Sequence, residues 1–410
     1  MCRFARRLIT WAVVVALVQI SIGAMAAVSF DDVVPLSDQA WELLCARLFR
    51  IEEEVGDRFP HVTEKLVWRT SKSGEWTGGF YPGMLWLAEQ EARRRGDTEK
   101  AEVLRQKALQ WSERLAPRQF DTGTHDLGFL FVPTWVEAYS RTGDERWRNG
   151  ALNAARSLSK RFAPGGFIQS WGPIGQGPNA GTVIIDNMMN LELLYWAAEE
   201  LNDDRLAEMA TSHALLTQRH HVRQDGGSYH LVDFVRNTGA RLRGRTHQGF
   251  SANSTWSRGQ AWGIAGFAIT YQYTGNPGFL ETAQEMGEFF MHRLPEDGAA
   301  PWDFDAPAPA AKDTSANAIA AYGFLCIARH LRQERPQDAA KWVDRARYLL
   351  QAIHSYSLFA HPELGDKGGL LTGGTYNFKQ GSAVEQSVAW GDYYYLRSLL
   401  GLAQWEREQD

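Results

Sequence analysis

Two aspartates sixty residues apart occupy similar settings. Asp126 follows His125 in "HDLGFLFVPTWVEAYSRTGD" (125–144), and Asp186 follows the apolar run Val183-Ile184-Ile185 in "GTVIIDNMMNLELLYWAAEEL" (181–201). Each opens a helical pattern. Leu127, Leu130, Phe131, Trp135, Ala138 and Tyr139 recur at three- and four-residue steps after the first; Met189, Leu193, Trp196, Ala197 and Leu201 do so after the second. Taken singly, either carboxylate reads as an N-cap accepting from the free amides of a first turn. Taken together, two carboxylates facing one cavity cannot both ionise cheaply, so one would hold its proton near neutral pH. A carboxyl protonated at neutral pH is a general acid. A cap has no need of a neighbouring histidine, but both readings stand at this level.

A third cluster lies in "TWSRGQAWGIAGFAITY" (255–271), where Arg258 and Trp262 are four apart and share a helical face. A cation near a helix start is opposed by the helix dipole. Either an anionic ligand gripped by the guanidinium fork or a structural ion pair would account for Arg258. Gly259, Gly263 and Gly266 each cost about 1 kcal/mol against alanine within a helix, which predicts close approach by another backbone. Asp303 and Asp305 in "PWDFDAP" read as a loop braced by Asx-type hydrogen bonds, Asp313 as a helix cap and Asp392 as support for the interior. The pair His220-His221 reads as favourable charge at a helix end. No Cys or His spacing matches a zinc site and HExxH is absent, so no metal site is expected.

These residues need a scaffold, and the chain is rich in helix. Of 410 residues 44% are hydrophobic and 22% charged, a globular composition. The net charge of -5, with no basic run beyond the N-terminus, excludes a nucleic-acid surface. Aromatic residues make up 12% of the chain, with 16 Trp, the residue best suited to the apolar face of a sugar ring. Helical patterns, including 126–142, 186–201, 256–274, 313–332 and 385–405, number about twelve, with little sign of strands between them. Tight Gly-Asp and Asn-Asp turns pair them into antiparallel hairpins. Six such hairpins can close into a double-layered ring, which predicts an all-α fold, an (α/α)6 barrel, as one catalytic domain over residues 27–410.

Residues 1–26 read as an export signal: Arg3, Arg6 and Arg7, then an apolar run ending at Ala24-Met25-Ala26. Cleavage would leave a periplasmic protein without a membrane attachment. The run is also long enough to span a bilayer, so a retained anchor is the alternative. Cys45 and Cys326 would remain after cleavage, and in a chain this long they are expected as buried free thiols.

"EWTGGFYPGMLW" (75–86), "HDLGF" (125–129), "IIDNMMNLELLYWA" (184–197), "WSRGQAWGI" (256–264), "PWDFDAP" (301–307), "DTSANAIAAYG" (313–323) and "WGDYYYLRSLL" (390–400) together resemble the unsaturated glucuronyl hydrolases of glycoside hydrolase family 88. The ordered set spans residues 75 to 400. The resemblance implies an (α/α)6 barrel, in agreement with the hairpin count, and hydration of the C4=C5 enol ether of an unsaturated uronic acid. The substrates would be oligosaccharides made by polysaccharide lyases, with no metal or organic cofactor. It implies Asp186 as general acid and then base, and Asp126 as its carboxylate partner. His125, Trp76, Trp171, His230, Gln248, Arg258 and Trp262 are implied as substrate-binding residues. The same barrel and chemistry would serve rhamnogalacturonan or ulvan fragments, with "LLTGGTYNFKQGSAVEQS" (370–387) placed to decide. A non-catalytic sugar-binding protein would need the tryptophans but not Asp126, Asp186 and Arg258 together. Monomer and dimer both remain open.

Overall fold

The computed structural model describes residues 25–409, so residues 1–24 of the expected export signal lie outside the described residues. After the single turn α1 (Phe30–Val33) come α2 (Asp38–Val55), α3 (Phe80–Arg94), α4 (Thr98–Glu113), α5 (Leu127–Phe131), α6 (Glu137–Thr142), α7 (Glu145–Ser159), α8 (Leu191–Leu201) and α9 (Asp204–His221). The series ends with α10 (Ser257–Thr274), α11 (Pro277–His292), α12 (Thr314–Leu331), α13 (Pro336–Ala352) and α14 (Ala389–Arg407).

With α5 and α6 counted as one interrupted helix, α2 to α14 alternate between two layers. The inner layer runs α3, α5–α6, α8, α10, α12, α14, and α14 packs back against α3 to close the ring. Sequence dictates the layer. From Ser257 to Thr270 every residue of α10 is buried, and α12 is buried from Thr314 to Ala328. A helix apolar on all sides has no solvent face and must sit inside. The outer helices α2, α7 and α13 instead alternate apolar and charged faces. One buried cluster runs from Val28 to Trp405. The fold is the predicted (α/α)6 barrel.

Two helical expectations need correction. The helix expected over 126–142 is interrupted by a π turn at Val132–Val136, because Pro133 lacks the amide that would continue an α-helical ladder. The one expected from Asp186 begins as a 3-10 turn, Ile185–Met189, before α8. The near-absence of strands is corrected too. β1 (Phe59–Glu64) pairs antiparallel with β2 (Val67–Ser71), and β3 (Phe162–Ala163) with β4 (Phe167–Ile168). A three-stranded sheet has the order β5 (Thr182–Ile184), β6 (Leu231–Phe234), β7 (Arg241–Arg245). These strands occupy the long connections, where their short runs are masked in sequence by glycine and arginine.

Cys45 and Cys326 are buried and unbridged, and burial pushes both thiols up. His221 is not a helix-end charge: it is buried, its Nε2 lies 3.1 Å from the Val183 carbonyl, and desolvation holds its pKa at about 3. Among the described residues no helix is long and apolar enough to cross a membrane.

Candidate active site

The N-terminal ends of the inner helices meet at one end of the ring. Asp126 occupies the N-cap position of α5, yet its carboxylate makes no capping bond. Thr124 Oγ1 donates to Asp126 Oδ2 at 2.6 Å and accepts the Asp126 N–H at 3.1 Å. His125 Nε2 lies 3.2 Å from Asp126 Oδ1. Burial lowers the His125 pKa, so the ring is neutral beside the carboxylate, and its buried Nδ1 has no partner. Beneath the turn Arg161 is fully buried and donates to the carbonyls of Thr122, Gln169 and Gly172. Desolvation brings its pKa down to about 10.

Asp186 lies in the 3-10 turn that meets this wall. The two are tied directly, since Phe129 N–H donates to Asn190 Oδ1 at 2.9 Å. A Cβ on Gly128 would stand 2.4 Å from the Asn190 Cα, so only glycine permits that contact. On the other side α10 presents the glycines singled out above. A Cβ at Gly266 would come within 2.4 Å of Met188 Cβ, and one at Gly263 within 3.0 Å of Ile185. The backbone approach predicted from those glycines is made at Gly266 by the turn that carries Asp186, whereas Gly263 and Gly259 meet side chains, chiefly of Met286 and Trp256.

Asp186 itself is half-buried, and its Oδ1 is buried with no partner. Burial, then the neighbouring charge of Asp126, raises its pKa to about 7, with Arg258 opposing. The two aspartates thus converge on one electrostatic environment, and one of them is a proton donor near neutral pH.

Arg258 is fully buried and paired with Asp313. Its Nη1 also donates to the Thr375 carbonyl at 2.6 Å, and its Nη2 to that of Tyr376 at 2.8 Å. Of the two explanations for its place, the structural ion pair is the one present. The guanidinium lies 4.4 Å from the Trp256 ring centroid and 5.1 Å from that of Trp390. The expectation that Asp313 caps α12 is corrected: no capping bond forms, because its carboxylate serves Arg258, the Ser315 hydroxyl and the Thr375 N–H. Asp303 and Asp305 do brace a loop, accepting from the backbone amides of Phe250 and Thr255 respectively.

The aromatic residues divide by exposure. Trp76 is half-buried, 4.6 Å from Trp390 and stacked at 6.4 Å with Tyr376. Trp171 is half-buried beside the Asp126 turn, bridging to the backbone of Thr124 and meeting His247 edge-on at 5.5 Å. Trp262 has no exposed surface; it packs against Phe129 at 5.0 Å and Tyr394 at 5.2 Å, and its indole N–H has no acceptor. Its face is closed to a sugar ring as the side chains stand.

His230 enters through strand pairing. Ile184 opposes Leu231, and Ile185 N–H donates to the His230 carbonyl at 3.1 Å, beside Asp186. Its Nδ1 faces the amides of His247 and Gln248, each at 3.4 Å, which places the ring proton on the unpartnered Nε2. Gln248 Nε2 donates to the Tyr376 carbonyl at 2.7 Å and joins the two loops over the site.

Asn190, Arg161, Tyr376 and His61 were not singled out by the sequence reading. Asn190 offered a signal, as a polar residue inside an apolar run. His61, packed 5.0 Å from Tyr376 and held at a pKa of about 4 by burial, offered none, because it lies on a strand that the helical reading left out.

The profile of Glycosyl Hydrolase Family 88 matches residues 50–297. The unsaturated glucuronyl hydrolase of Bacillus sp. (strain GL1) is 39% identical over 356 residues, 85% of this chain and 92% of that protein. The unsaturated chondroitin disaccharide hydrolase of Streptococcus pyogenes serotype M1 is 34% identical over 80% of each chain. The crystal structure of the glycosaminoglycan-degrading unsaturated glucuronyl hydrolase from Bacillus sp. GL1 superposes with a TM-score of 0.81 at 36% identity, covering 88% of this chain and 96% of that one. A ring of six helical hairpins, two aspartates set against each other at its mouth and these matches along most of its length place the chain in glycosyl hydrolase family 88.

Proposed function

We propose that the enzyme removes a 4,5-unsaturated uronic acid from the non-reducing end of oligosaccharides released by polysaccharide lyases, of the glycosaminoglycan type. The observation that carries this reading is the state of Asp186, a half-buried carboxyl raised to about 7 beside a second carboxylate. Protonated Asp186 delivers its proton to C4 of the alkene. Positive charge develops at C5, where the ring oxygen stabilises it. The carboxylate left behind takes a proton from water as that water bonds to C5. The hemiketal so formed opens, the bond to the adjoining sugar breaks, and an open-chain keto-uronate departs. This differs from displacement at the anomeric carbon by a paired acid and nucleophile.

In this scheme Asp126 raises the acid's pKa and does not form a covalent bond to sugar. Thr124 fixes Asp126 through its hydroxyl, and His125 lies against the same carboxylate. Trp76 supplies the open aromatic face, with Trp171 and Gln248 beside it, and His230 offers its free Nε2–H. Arg258 acts from behind, holding the Thr375-Tyr376 segment and limiting the pKa rise at Asp186. A sugar-binding protein has no use for a half-buried carboxyl raised in part by a second one, which sets Asp186 apart from the fully buried Asp392. The mature chain works outside the cytoplasm after removal of residues 1–26, a reading supported by the Arg-rich start and apolar run; cell fractionation and N-terminal sequencing test it.

The deciding experiment mixes purified protein with lyase-made disaccharides of chondroitin, hyaluronan and heparin and follows loss of the ultraviolet absorbance of the conjugated alkene. Loss of absorbance with release of the second sugar is the expected result. Binding without absorbance change on any of them defeats the assignment.

A further inference from the structure

A cavity of about 450 Å³ lies among the inner helices α3, α6, α12 and α14, and neither Asp126 nor Asp186 lines it. The two aspartates stand at the N-terminal ends of inner helices, whereas the arginines of this cavity, apart from the mid-helix Arg397, stand in last turns. Trp390 and Arg407, near the two ends of α14, are separated by roughly 25 Å at about 1.5 Å per residue. Between the two lies an aromatic floor in which Tyr394 touches Trp262 at 5.2 Å on one side and Tyr322 at 5.4 Å on the other.

Five arginines line this cavity: Arg94, Arg141, Arg329, Arg397 and Arg407. Arg94 is held bidentately by Glu91, and Arg141 by Glu89 and Glu137. Arg329, Arg397 and Arg407 have no carboxylate within 4.0 Å among the described residues. Arg397 donates to the Tyr393 hydroxyl at 2.9 Å and lies 4.3 Å from the Tyr322 ring centroid. Glu192 is the carboxylate that acts on it electrostatically, without an ion-pair contact. Burial and then the like charge of Arg94 depress the Arg407 pKa, with Glu91 and Glu408 opposing. The indole N–H of Trp86, another lining residue, is buried without an acceptor.

Helix dipoles account for part of this. Arg94, Arg329 and Arg407 stand in last turns, where cations are favoured. Arg397 is in mid-helix and gains nothing from a terminus. Arg397, half-buried, and the buried Trp86 N–H leave donors open to an acceptor, the exposed Arg329 and Arg407 line the same cavity, and its two carboxylates, Glu91 and Glu137, are engaged by Arg94 and Arg141. Guanidinium is shaped for planar or tetrahedral oxyanions.

We propose that this cavity binds a small oxyanion, a carboxylate, sulfate or phosphate group, at a place remote from the two aspartates. Its volume admits one sugar ring, so the group arrives either as a free ion or carried on an acidic sugar.

The test is calorimetric titration of the full chain with sodium sulfate and with sodium glucuronate, against sodium chloride at equal ionic strength. The wild type should show saturable binding of one anion per chain at this cavity. R329Q/R407Q should bind at least tenfold more weakly while turning over unsaturated disaccharide at the wild-type rate. A sulfate response alone identifies the free ion as ligand, and a glucuronate response lost in the variant identifies the sugar-borne group. Equal affinity in wild type and variant, or no saturable response to either anion, overturns the proposal. Crystals of the wild type grown with selenate give a check that needs no variant: an anomalous peak among Arg329, Arg397 and Arg407 supports the site, and its absence there with selenate bound elsewhere rejects it.

Discussion

Phe129 gives its backbone N–H to the Asn190 side-chain oxygen at 2.9 Å, and through that bond the wall bearing Asp126 is fastened to the turn bearing Asp186. The bond is buried, so its loss leaves an amide without water or partner, at about 1–3 kcal/mol. Asn190→Leu should lower thermal stability by that order and reduce kcat more than it raises KM. Unchanged kcat in a folded variant would show that the two aspartates hold their spacing without it.

Asp186→Asn cannot carry the transferred proton. Turnover should fall by roughly 10³-fold or more, the scale of general acid catalysis, while an unsaturated disaccharide still binds in calorimetry. Activity near the wild-type level would take Asp186 out of the reaction.

Asp126 and Arg258 push the Asp186 pKa in opposite directions. The acid must be protonated to start the reaction, so activity declines as pH rises through about 7. Asp126→Asn removes the raising influence and should move that alkaline limb to lower pH in whatever activity remains. Arg258→Gln removes the lowering influence and should move it to higher pH. Limbs that shift the same way, or not at all, would contradict the coupling.

Arg258→Gln has a second expected effect, because it strands the buried carboxylate of Asp313. Breaking a buried pair costs about 3–5 kcal/mol, read by urea denaturation. The Thr375-Tyr376 segment, which loses two donors, should become cleavable by a protease that spares the wild type.

Asp392 offers a pH test away from the chemistry. It is fully buried, accepts from Leu371 N–H at 2.9 Å, and burial raises its pKa from 3.8 to about 7. A folded pKa above the unfolded one contributes stability that is complete below pH 3.8 and is lost as pH climbs to about 7. Asp392→Asn should therefore gain on the wild type between pH 5 and pH 8, by a few kcal/mol in the limit of about 1.4 kcal/mol per pKa unit. A melting-temperature difference independent of pH would refute this.

The ring was legible because its cause is local: apolar steps of three and four residues, and Gly-Asp turns between them. The π turn at Val132–Val136 was not, since Pro133 marks an interruption but not how the chain passes it. The strands escaped because β3 to β6 are two to four residues long, too short for a period to show. At the site, His125, Asp126 and Asp186 stood out by type, and of the three glycines of α10 it is Gly266 that a neighbouring backbone approaches. The identity of that neighbour, and the pairing of Arg258 with Asp313 across 55 positions, come only from the way the ring closes.

That closure governs when the enzyme can exist at all. The packing of α14 on α3 brings the buried Trp390 behind the half-buried Trp76, so the support of that open ring comes from the last inner helix to leave the ribosome. A nascent chain halted before α14 has an open horseshoe with that support missing and a wide apolar flank uncovered. The site is complete only once the last helix docks.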